Sequence, residues 1–139
     1  MINSWTQALG LLILRVSFGT AMLAGHGLDK LLRYKDHSKS FPSLIGLGGT
    51  LELSLAIFAE FFCAVLLILG IGTRLAVIPL MITMLVALTM YHAQDPWGKK
   101  ELAALYLSAF TVILICGGGG FSLDRVLWRK KSASRTKAH

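Results

Sequence analysis

The sequence predicts an all-α membrane protein, an antiparallel bundle of four transmembrane helices, and three observations carry the prediction. Hydrophobic residues fill 55 % of the 139 positions and charged residues only 15 %, which is not the balance of a soluble domain. The apolar residues fall into four blocks, 8–28, 51–71, 75–92 and 101–117. Each block is about 17 to 21 residues long, which at roughly 1.5 Å per residue matches a hydrocarbon core of about 30 Å. Trp5, Trp97 and Trp128 stand just outside the blocks, and Tyr34 and Tyr91 lie near block ends, where amphipathic rings settle at the headgroup boundary.

The first block is read as a retained span. Residues 1–10 carry no Lys or Arg and Arg15 sits inside the apolar run, unlike a cleavable signal peptide. Asn3 breaks the myristoylation pattern and residues 136–139 hold no prenylation cysteine. Segment 29–49 is polar, then glycine-rich, and is broken by Pro42, which suits a surface cap or a short interfacial helix. The link between blocks two and three is only Gly72, Thr73 and Arg74, so those helices form an antiparallel hairpin. The third link, 93–100, holds Asp95, Pro96 and Gly98 and reads as a turn. Gly117 to Gly120 follows a helix and lacks the Lys-Ser/Thr of a phosphate loop, so it reads as a helix stop. The organisation expected is one membrane domain, 1–128, and a basic, disordered tail, 129–139.

The net charge of +7 does not argue for nucleic acid. Seven of the fourteen basic residues lie in the 30–39 loop, at Arg74 and at Lys99 and Lys100, and six more, Arg125, Arg129, Lys130, Lys131, Arg135 and Lys137, make a juxtamembrane tail. Such a tail is suited to anionic lipid headgroups and places both termini in the cytoplasm. Cys63 and Cys116 form no CxxC pair, and the antiparallel topology sets them roughly 10 Å apart in depth, beyond disulfide reach.

Ionisable residues in apolar segments are functional-site candidates because each costs several kcal/mol unless paired or hydrated. Arg15 and His26 are eleven residues apart and return to one face of the first helix within about 20°. Glu60, near mid-depth on the second helix, is expected to meet Arg15 as an ion pair, which would either build a site or only lock two helices together. The up-down topology puts His26, His92 and Glu101 at one membrane face, with Glu52 in the same layer. The Glu-x-x-His spacing of bundle-core metal sites is absent, and no metal is assigned. Imidazoles and carboxylates in one layer suit proton handling for a lipid-soluble molecule that changes oxidation state, a quinone being the candidate. Tyr106, Ser108 and Thr89 offer neutral hydrogen bonds to such a molecule or between helices.

The chain resembles the DoxX family of small four-helix bacterial membrane proteins. The resemblance rests on Leu14-Arg15 with Phe18-Gly19, on His26-Gly27 and Lys30, and on Ala59-Glu60 leading to Leu66-Leu67-Ile68-Leu69-Gly70 and Thr73-Arg74. It continues through His92-Ala93-Gln94-Asp95, Glu101-Leu102-Ala103 with Leu105-Tyr106-Leu107, and Phe121-Ser122-Leu123-Asp124. These motifs stand in order across residues 9 to 127. The resemblance implies a multi-pass protein of the bacterial inner membrane, with relatives in redox work that include a membrane subunit of a thiosulfate:quinone oxidoreductase and proteins of thiol or quinone stress resistance. It also implies that Arg15, His26, Glu60, His92 and Glu101 are the family's polar motif residues. The absence of a dithiol motif argues against intrinsic thiol–disulfide chemistry.

The expected function is a membrane redox protein or redox-complex subunit that binds a quinone between helices and works with a redox partner protein. His26, His92 and Glu101 are the candidate catalytic residues; Arg15, His26, Glu60 and Tyr106 are the candidate cofactor ligands. A non-catalytic assembly subunit and a small transporter or proton path are the alternatives, so whether the chain is itself an enzyme stays open at this point.

Overall fold

The computed structural model describes residues 4–127, and the regular elements among them are helices. α1 (Ser4–Leu32) is followed by the short α2 (Tyr34–Ser40), then by α3 (Gly49–Leu69), α4 (Thr73–Tyr91) and α5 (Trp97–Cys116). Trp128 and the basic tail 129–139 lie outside the described residues.

α1, α3 and α4 are long and apolar enough to cross a membrane. The expected fourth span exists as a helix of comparable length, but Lys99, Lys100 and Glu101 occupy its first turns. Its apolar part, 102–116, has a rise of roughly 22 Å, short of a hydrocarbon core of about 30 Å. Among the described residues, three helices have the length and composition of a span. α1 also exceeds its predicted block at both ends, which carries Asp29 and Lys30 on the helix rather than in a loop.

The long helices pack around Met22, Ala64, Leu67, Val77, Leu80, Phe110 and Ile113, all buried. Small residues set the close approaches. A Cβ at Gly19 would stand 2.7 Å from Ile68 Cγ1 on α3, the kind of contact that helix pairs in lipid depend on. The outer faces carry exposed Ile13, Phe58, Phe62, Leu105 and Ile115, the inverse of a soluble protein's surface.

One end of the bundle is closed by a clasp. α5 stops at Cys116, Gly117 turns with φ +77°, and the glycine run folds back along α1, where a side chain at Gly119 would press on Leu11. Irregular backbone at such a place needs partners for its polar groups. Arg15 supplies them, donating one Nη to the Gly118 carbonyl and the other to the Phe121 carbonyl at 3.1 Å. Asp124 accepts the N–H groups of Gly72 and Thr73 at 2.7 and 2.9 Å and the Thr73 hydroxyl at 2.8 Å. Its own N–H donates to the Gly70 carbonyl at 2.9 Å.

The expected Arg15–Glu60 pair does not form. Arg15 lies three helical turns, roughly 16 Å, before the layer of His26, and the carbonyls bared by the glycine run are its nearer acceptors.

The opposite end is covered by α2 and the loop 41–48. Tyr34 and Ser54 share a hydrogen bond of 3.2 Å. Glu52 takes the Ser43 hydroxyl at 2.9 Å and the N–H groups of Leu44, Ile45 and Leu47 at 2.7, 3.2 and 3.0 Å. Glu52 lines the cavity with His26 and His92, in the layer expected of it, and its carboxylate holds the roof loop.

Candidate functional site

Helix alternation brings the C-terminal ends of α1 and α4 together with the N-terminal ends of α3 and α5, beneath the roof loop. Between them lies a cavity of about 440 Å³, lined by His26, Lys30, Glu60, His92 and Tyr106 among mainly apolar side chains. That volume and lining are typical of small-molecule sites.

Local helix distortion positions three of these residues. α1 widens to a π-helical turn over Leu23–Gly27, α3 over Phe58–Cys63 and α4 over Ala87–Tyr91. His26 lies in the first, Glu60 in the second, and His92 closes the third, its N–H reaching the Ala87 carbonyl at 2.9 Å. Such turns hold one extra residue and re-aim side chains, and they recur at functional sites.

Gly27 fixes the height of α1 on α3. A Cβ there would overlap the Glu60 carbonyl and stand 2.7 Å from Phe61 N. The two backbones touch, and Lys30, one turn further on, reaches over Glu60. Its Nζ lies 2.6 Å from Oε2, with the glutamate side chain 4 % and the lysine side chain 20 % exposed.

His26 packs edge-to-face against Tyr106, ring centroids 5.9 Å apart. Tyr106 is held in turn by Phe18 at 5.6 Å and Phe110 at 5.8 Å. Among the described residues, neither the His26 ring nitrogens nor the Tyr106 hydroxyl has a hydrogen-bond partner, although Tyr106 is 5 % exposed. His26 is half-buried and both residues line the cavity, so the polar atoms just named are open to a ligand's polar end.

At the end of α4, His92 Nδ1 donates to Asp95 Oδ2 at 2.7 Å, and Lys99 reaches Oδ1 at 3.4 Å. The hydrogen bond from His92, followed by Lys99, holds the Asp95 carboxyl below the usual aspartate range against the opposing effect of desolvation. A carboxylate only accepts, so Nδ1 carries the proton and Nε2 is left for a further partner.

The structure thus gathers His26, Glu60, His92 and Tyr106 around one cavity and leaves Arg15 and Glu101 out of it. Arg15 belongs to the clasp. Glu101 is exposed and, among the described residues, makes no hydrogen bond or ion pair. The reason is helical phase: Lys99, Leu102, Ala103 and Tyr106 line the cavity, and Glu101 is about 140° from Tyr106 around α5. Sequence reasoning missed Lys30, which stands four residues after His26 and faces with it once the helix continues past position 28. It also missed the pairing of Asp95 with His92.

Among the described residues, no three His, Cys, Asp or Glu side chains converge to hold a metal ion. Cys63, buried, and Cys116, exposed, are both free thiols.

An all-helical membrane protein with a cavity between its helices, lined by polar groups among mainly apolar ones, is the class that fold and site define. Residues 10–93 match the family model DoxX, and the chain belongs to the DoxX family. No match was found among the curated proteins or among the solved structures.

Proposed function

We propose that this DoxX protein binds a lipid-soluble quinone in the cavity between its helices and serves a membrane redox reaction, as an oxidoreductase subunit supplied with electrons by a redox partner. The observation that carries the reading is the His26–Tyr106 pair, whose polar atoms have no hydrogen-bond partner among the described residues and which lines a largely apolar cavity. A quinone has the matching shape, with carbonyl acceptors on a ring and a hydrocarbon body.

Tyr106 donates to one carbonyl and His26 supplies or takes a proton, since imidazole titrates near neutrality and reduction to the quinol consumes protons. His92, oriented by Asp95 at the end of α4, exchanges protons with water. Glu60 and Lys30 neutralise each other beside the ring, so neither charge stands alone in the membrane.

In this reading α5 crosses the bilayer with the other three long helices, its short apolar part extended by Lys99 and Lys100 reaching to the headgroups. The membrane is the bacterial inner membrane, and both termini face the cytoplasm, where the basic tail lies on anionic lipid.

Purified protein should retain quinone extractable into organic solvent. His26→Ala should reduce that content at least about tenfold while the protein still inserts, a loss of roughly 1.4 kcal/mol or more in binding. Unchanged content in the variant would overturn the site.

A further inference from the structure

The cavity has an open side as well as a roof. α3 and α4 leave the Gly70–Gly72 turn together and pack along the wide turn at Glu60, but the first two turns of α3, Gly49–Ile57, lean mainly on α2 and the end of α1. The two helices therefore part toward the site end. Leu55 on α3 and Ile82 on α4 both line the cavity, and they are 46 % and 57 % exposed. Residues that face an internal space and the outside at once form the edge of an opening.

The opening lies at hydrocarbon depth. Ile82 is nine residues before the end of α4, roughly 14 Å by helix rise, and Leu55 is six residues after the start of α3, roughly 9 Å. Its edge is apolar. Thr83 is the polar residue beside it, and its hydroxyl is turned back to the Pro79 carbonyl at 2.9 Å. Above, Phe41, Pro42 and Leu44 of the roof loop line the cavity, and Glu52 fixes that loop through the four bonds described above.

We propose that the cavity opens sideways into the bilayer through the slot between Leu55 and Ile82, and that its ligand is a membrane-resident amphiphile whose hydrocarbon tail lies in that slot and continues into lipid. The inference rests on the quinone-site reading and adds the route and the tail. A ligand held in this way is delivered from lipid and never passes through water. Tail length beyond the slot does not alter its fit, because the remainder stays in the solvent it already occupied.

The test uses the full chain in phospholipid vesicles with a benzoquinone whose decyl tail carries a diazirine. Photolysis should label Leu55, Ala56, Ile82 or Val86, and excess unlabelled decyl benzoquinone should suppress the label. Labelling confined to residues 41–45 would overturn the slot and leave the site intact. Labelling that excess quinone fails to suppress would overturn the site reading itself. Ile82→Trp, which fills the slot, should lower the label by about tenfold, the scale of a steric mismatch in an apolar pocket, while a tail-less benzoquinone still binds; an unchanged label in this variant would also sink the proposal.

Discussion

Lys30 Nζ and Glu60 Oε2 are 2.6 Å apart, and this contact joins the end of α1 to the middle of α3 directly beside the cavity. Glu60 is buried and Lys30 reaches it only because α1 continues through Gly27 in contact with the α3 backbone. The pair neutralises a carboxylate that would otherwise stand alone in a largely apolar interior.

Removing one partner should therefore cost more than removing both. A broken buried pair loses about 3–5 kcal/mol, whereas replacing both members by neutral groups is often close to harmless. Lys30→Met should lower the melting temperature in detergent markedly, and Lys30→Met with Glu60→Gln should recover most of the loss. Losses that simply add would show that the two residues are not coupled.

Gly27→Ala should destabilise the protein by about 1–3 kcal/mol, the usual cost of forcing atoms into a packed contact, because the new Cβ meets the Glu60 backbone rather than a movable side chain. Gly25→Ala provides the comparison, since nothing lies within 4 Å of a Cβ there. Thermal unfolding of the two variants side by side should show a loss for the first and none for the second.

Arg15→Leu should loosen the clasp without emptying the cavity. It deletes charge-assisted bonds worth about 1.5–3 kcal/mol each, so amide hydrogen exchange at residues 117–124 should accelerate while quinone content holds. Arg15→Lys should not restore protection, because an ammonium lacks the planar fork that reaches two carbonyls. Loss of quinone in Arg15→Leu with unchanged exchange would put Arg15 back in the site.

Asp124 predicts an acid limit to the clasp. Burial opposes its ionisation, but the N–H groups of Thr73 and Gly72, the Thr73 hydroxyl and the charge of Arg15 outweigh that and hold it below the ordinary value of 3.8. A group depressed on folding stabilises fully above its unfolded pKa and loses that contribution as pH falls through the folded value. The stability gap between the unaltered protein and Asp124→Asn should thus be constant from neutrality down to about pH 4 and shrink below it. A gap that persists undiminished at pH 2 would contradict the assignment.

Much of this architecture was legible from hydropathy. The hairpin at Gly72, the helix stop at Gly117 and the grouping of His26 with His92 all follow from segment length and alternation, which are properties of the chain itself. The partners were not legible, because each depends on a local choice with little trace in composition. Whether Lys30 ends a helix or rides on it decides whether it reaches Glu60. Whether the glycine run returns along α1 decides what Arg15 bonds. Glu52 and Glu101 looked alike as carboxylates near a boundary, yet one is consumed by four donors and the other points away from the cavity by its phase on α5.

The wide turns in α1, α3 and α4 give the site an unusual relation to chain length. Each wide turn absorbs one residue more than its α-helical equivalent, so deleting a single residue from 23–27 would restore a regular helix and keep Lys30 on its face. His26, inside the turn, would lose its aim at the cavity, although no contact had been mutated. The binding layer is thus written in the count of residues as much as in their identity. Substitutions can alter its chemistry one group at a time, while a one-residue deletion from a regular stretch before a wide turn would rotate all that follows by about 100° and dismantle the layer.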